Sequence, residues 1–335
     1  MILLRFTFLF CLIIISSCNE NCINLNPSLA DNPIELKFEH LDVDLFSNQH
    51  PNNNKHQLLL QKYTSLYELF YAKMLNEGNP YSEESTIKLT SFLSHPSTKE
   101  IQKEINTFSD FTSFEDQITK AFNYYNYYYP DSTLPVITTF YSNFNANVIE
   151  INNRIAIGVD MYLGSNNKVV NSLPPDFFPL FIKNKMLKEF IVSDVLYCFL
   201  YNRYYQPLGD DFISEMIAQG KILYFIEVLN PDEKSHLKFR YTQDELTWCL
   251  ENEKNIWKTV VNQQVLYSKD ANVIKSFSSE SPYTKGLPKD SPAKVGPWLG
   301  YQIVKDYVEA NCIDIVDLQL EKNVRLILKS YHPNE

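Results

Sequence analysis

An α+β fold, mostly helical with one small antiparallel sheet, is predicted by three observations. Apolar residues recur at helical spacing over most of the chain, short period-two runs interrupt it in the middle, and helix-start signals precede several of the apolar stretches. The 335 residues include 22 Tyr and 22 Phe but only eight Gly, enough apolar and aromatic mass for a substantial core.

The amino terminus reads as an export signal. Arg5 precedes an apolar run from Phe6 to Ile15, and Ser16, Ser17 and Cys18 follow. A helix of roughly ten residues is about 15 Å long, half a hydrocarbon core, so the run suits a removable signal over residues 1–17 rather than a membrane span. Ile15-Ser16-Ser17-Cys18 resembles the lipobox of bacterial lipoproteins. That resemblance implies a Cys18 carrying acyl chains as the first residue of the mature protein. Two or three chains anchor a protein durably where one does not. Residues 18–33 are polar and aperiodic, as a tether would be.

Residues 34–130 form an N-terminal helical region after a short extended entry. Leu59, Tyr63, Leu66 and Phe70 share one helix face. Gly78 and Pro80 punctuate the chain, Ser82 offers an N-cap for a helix to about Leu93, and Ser113 with Asp116 suits a capping box opening a helix to Pro130. The tyrosines at its end, Tyr124, Tyr127 and Tyr128 among them, are core residues or, if exposed in a row, a glycan-binding face.

Residues 131–335 carry the sheet and a helical C-terminal region, packed as one body with the preceding part. Pro135 to Tyr141, Val148 to Ile151 and Arg154 to Val159 have strand character, and Asn152-Asn153 suits a tight hairpin turn. Helices are expected over about 180–205, 210–229, 243–266 and 297–310, with Thr242 and Glu245 as a capping box. Pro297 suits the first helical position, Trp298 a core anchor, Gly164 a turn and Gly220 a close approach of helices.

A net charge of −10, one unit more negative without Arg5, and the lack of a basic run exclude nucleic acid as a partner. Membrane attachment therefore depends on acyl chains rather than on a polybasic face. Cys22, Cys198, Cys249 and Cys312 are widely spaced, with no C-x-x-C pair, and their pairing stays open. No Walker loop, dinucleotide fingerprint, G-x-S-x-G or H-E-x-x-H occurs, so no cofactor, metal ligand or catalytic residue is assigned.

One layout resembles that of zinc metallopeptidases of the zincin type. A sheet precedes a helix bearing Lys188-Glu189-Phe190-Ile191-Val192, and Gln219 follows on the next helix. In those enzymes two histidines and a later acid bind zinc while a glutamate activates water. Lys188 and Val192 would stand for the histidines and Gln219 for the acid, which leaves a degenerate site with Glu189 alone retained.

Four motifs in order carry a wider resemblance: Asp160-Met161-Tyr162-Leu163-Gly164, Met216-Ile217-Ala218-Gln219-Gly220-Lys221, Trp248-x-x-Glu251-Asn252-Glu253, and Gly296-x-Trp298-x-Gly300-x-Gln302-Ile303-Val304. They are similar to the gliding motility lipoprotein GldB family. The resemblance implies an envelope lipoprotein of Bacteroidota, noncatalytic and required for gliding and for the associated secretion of adhesins. It also implies gliding or secretion proteins as partners and a periplasm-facing location, with the choice of membrane open. A metallopeptidase-derived enzyme with altered ligands and a glycan-binding lipoprotein are the alternatives.

Overall fold

The computed structural model describes residues 33–47, 52–106 and 111–334. Cys18 and most of the expected tether, Cys22 and His50 lie outside the described residues.

The chain enters as a short strand, β1 (Phe38–His40), and turns directly into α1 (Leu41–Phe46) and α2 (Asn52–Leu69), which runs into a π-helical turn over Phe70–Met74. The pattern of Leu59, Tyr63, Leu66 and Phe70 holds, since all four are buried. Next come α3 (Ser85–Ser94), α4 (Pro96–Ile105) and α5 (Thr112–Tyr128). α4 was not expected, although Pro96 occupies its first position and His95 caps it by accepting from Ser97 N–H. At α5, Phe111 rather than Ser113 is the N-cap.

Three strands follow: β2 (Val136–Phe140), β3 (Val148–Ile151) and β4 (Arg154–Gly158). Asn152 and Asn153 join the last two at φ +48° and +56°, the paired left-handed conformation that a two-residue hairpin needs. The sheet order is β1-β2-β4-β3. The expected antiparallel pairing holds only for β3 with β4, while β1 with β2 and β2 with β4 are parallel. A parallel pair needs a long crossover, and the five N-terminal helices supply it between β1 and β2.

Alternation along the strands divides two cores. Ile155 and Ile157 join Phe122, Phe199 and the C-terminal helices on one face. Ala156 joins Tyr63, Phe70 and Tyr141 on the other. Asp160, fully buried just after β4, accepts from Ser142 N–H at 2.7 Å and Ser142 Oγ at 2.9 Å, tying the loop after β2 in place. Burial pushes its carboxyl up to about 6 against those hydrogen bonds.

The remaining helices are α6 (Lys168–Ser172), α7 (Leu180–Lys183), α8 (Ile191–Tyr204), α9 (Phe212–Leu229), α10 (Gln243–Glu251), α11 (Glu253–Asn262), α12 (Ala271–Ser278), α13 (Val295–Asn311), α14 (Ile315–Leu320) and α15 (Val324–Lys329). The helix expected over 180–205 is broken. Gly164 N–H donates to the Met186 carbonyl at 2.8 Å and Leu163 bridges Leu187, which draws the chain out of the helix before α8 begins. The Thr242–Glu245 capping box forms at α10. α13 starts two residues before Pro297, which therefore sits within its first turn rather than at its first position.

α9 and α13 form the centre of the larger core and meet backbone to backbone. A Cβ on Gly220 would lie 2.3 Å from the Gly300 carbonyl, and one on Gly300 would lie 1.8 Å from Met216 O. Gly164, at φ +98°, makes the turn after the 3-10 segment Val159–Tyr162 that follows β4. Cys312 is disulfide-bonded, whereas Cys198 and Cys249 are free thiols. No helix among the described residues is long and apolar enough to cross a membrane.

Candidate functional site

α8 divides its faces at helical spacing. Val195, Leu196, Phe199 and Leu200 are buried in the core. Asp194, Tyr197, Cys198, Tyr201 and Asn202 instead form one wall of a cleft of about 390 Å³. Val148, the first residue of β3, and Asn147 before it line it as well, with Met161, Met186 and Arg240. A smaller cavity of about 60 Å³ shares Asp194, Tyr197 and Arg240 with that cleft and reaches Gln219 on α9 and Trp298 on α13.

Arg240 organises this region. It lies at φ +56°, in the left-handed region, directly after a 3-10 turn, and donates to Asp194 Oδ2 and, at 2.8 Å, to the Lys185 carbonyl. Tyr162, from the motif after β4, donates to the same Asp194 oxygen at 2.6 Å. The side chains of Arg240 and Asp194 are only 18% and 10% exposed. Burial works against the guanidinium charge, but the Asp194 carboxylate outweighs it and holds the pKa above its ordinary value.

Ser193 donates to Glu233 at 2.5 Å, and burial pushes that carboxyl up to about 7. Gln219 donates to Glu215, which also accepts from Tyr205 at 2.7 Å. The Cys198 thiol is pushed up to about 12 by burial, so it is a poor nucleophile near neutral pH.

Lys188 and Glu189 lie in a 3-10 turn ahead of α8, and Val192 is buried in its first turn. Of the four positions singled out in the sequence, only Gln219 lines the cavity. The side chains that face it from α8 are Ser193, Asp194 and Tyr197. Their spacing of i, i+1 and i+4 is that of an H-E-x-x-H helix. Serine, tyrosine and glutamine, with the one carboxylate, Asp194, already held by Arg240, do not fit a zinc ion, which needs several imidazole, thiolate or carboxylate ligands and repels a neighbouring cation. Among the described residues, no group of three or more His, Cys, Asp or Glu side chains could hold a metal.

His56 is buried, with its ring nitrogens 2.9 Å from the Tyr67 hydroxyl and 2.6 Å from the Pro80 carbonyl, and serves the N-terminal core. Tyr124 is buried, Tyr128 half-buried and Tyr127 exposed, so these three do not form an exposed aromatic row.

Fold and cleft together define a mostly helical α+β protein with a small mixed sheet, whose cleft is lined by a buried arginine–aspartate pair. The chain belongs to the gliding motility protein GldB family, whose family model matches residues 23–333. No curated protein and no solved structure matches it.

Proposed function

We propose that this protein is a noncatalytic lipoprotein of the cell envelope, anchored through acyl chains on Cys18 and facing the periplasm, which supports gliding and adhesin secretion by holding other proteins of that machinery. Membership of the gliding motility family supplies the process. The observation that carries the noncatalytic part is the cleft itself, where Ser193, Tyr197 and Gln219 stand around Arg240. A cation fixed by Asp194 supplies neither a Lewis acid nor an activated water.

Two measurements test this reading. Elemental analysis of the purified full chain is expected to find no stoichiometric zinc; zinc lost on Glu189→Gln or Gln219→Ala would overturn the noncatalytic assignment. In a clean deletion strain, adhesin secretion is expected to fall, and secretion at the parental level would remove that part of the role.

A further inference from the structure

The cleft lies at the edge of the sheet, where Asn147 and Val148, at the start of β3, line it. β3 pairs with β4 alone, so among the described strands its other edge has no partner, and such an edge presents a row of backbone N–H and C=O groups. Gly158 N–H donates to the Asn147 carbonyl. Antiparallel alternation therefore turns the backbone groups of Val148 and Glu150 away from β4. Val148 also lines the cleft.

The opposite wall is α8, where Tyr197 and Tyr201 stack at 5.5 Å. From Asp194 to Asn202 this wall spans about 12 Å of helix. That is room for about four residues of extended chain.

The smaller cavity opens off the cleft beside Arg240. Its lining carries three cations, Lys238, Arg240 and Lys294, against the single carboxylate of Asp194, in a chain of net charge −10. Lys238 and Lys294 are paired with Glu227 and Glu280; neither acid lines the cavity, although Glu280 lines the adjoining cleft. Trp298 lines it too, is fully buried, and has an indole N–H with no hydrogen-bond partner. A buried donor without an acceptor is rare in a settled core and marks a place where an acceptor belongs.

We propose that the cleft is a docking groove for an extended segment of a partner protein. The segment adds as a strand to the free edge of β3 and sets one aspartate or glutamate side chain into the cavity between Arg240, Lys294 and Trp298. Backbone pairing supplies affinity, and the cation-lined cavity selects the acidic side chain over its amide. This rests on the noncatalytic reading and gives it a partner of defined chemistry.

A library of short random peptides displayed on phage and panned against the full chain in detergent tests it, with affinities of the enriched peptides measured by fluorescence polarisation. The enriched peptides should be rich in β-branched residues and share an acidic residue. Replacing that residue by its amide should weaken binding about tenfold, the loss of one charge-assisted hydrogen bond. Val148→Arg, which places a bulky charge in the groove, and Lys294→Asn, which keeps a residue tolerant of the left-handed backbone at φ +58°, should each weaken binding about tenfold while a cooperative melting transition is retained. A library that yields no enriched peptide overturns the proposal, as do enriched peptides whose affinity ignores both the amide exchange and Val148→Arg. Either result, with gliding still dependent on the protein, removes the groove and leaves the lipoprotein reading intact.

Discussion

At the scale of single residues, the cleft depends on charges taken out of water. Arg240 satisfies Asp194 together with Tyr162, and removing one partner of such a pair leaves the other buried and uncompensated. Arg240→Met is expected to cost about 3 kcal/mol in urea denaturation, the low end for breaking a buried pair because the guanidinium retains some exposure. Glu233 makes a different prediction. Its pKa is raised from 4.5 to about 7 by burial, with the Ser193 hydrogen bond opposing. Between those values the folded chain holds a proton that the unfolded chain has released, so the contribution of Glu233 to stability is fully present below 4.5 and is lost as pH rises through 7. Glu233→Gln should therefore flatten the pH profile in this window, by a slope of up to about 1.4 kcal/mol per pH unit. A mutant profile parallel to that of the parent would exclude the shift. Asp160 loses stability in an overlapping range, which is why the difference between the two profiles is the quantity to read.

At the scale of elements, the crossing of α9 and α13 holds the larger core together. Gly300→Ala would set its Cβ 1.8 Å from the Met216 carbonyl. The helices must separate to admit it, at an expected cost of about 3 kcal/mol or more, and a denaturation midpoint equal to the parent's would show that they can. Asn152→Gly should be near neutral, whereas Asn152→Val, at φ +48°, should cost about 1–2 kcal/mol. Elements with a local signature were legible in the sequence: the Asn152-Asn153 turn, the bounds of β3, the Thr242–Glu245 cap and the close approach at Gly220 all have short-range causes. The parallel pairing of β1 with β2 was not, because it joins Phe38 to Ile137 across five helices and leaves no periodic trace. The same limit applies to the cleft. Gln219 could be picked out by its motif, but Arg240 carries no local signal, and only the bridge between Leu163 and Leu187 shows that the chain before Ile191 is not part of α8.

At the scale of the whole molecule, a sheet between two cores carries a cleft on the C-terminal side, and family membership ties the body to gliding. If Cys18 alone holds it to the membrane, Cys18→Ala should yield a folded protein recovered in the soluble fraction, with fatty-acid labelling abolished. Persistent labelling would place the anchor elsewhere. The most direct measurement is colony spreading of a clean deletion strain with and without the chain supplied in trans. Spreading is expected to be lost on deletion and restored by the intact chain; a deletion strain that spreads like its parent would contradict a requirement for this protein in gliding.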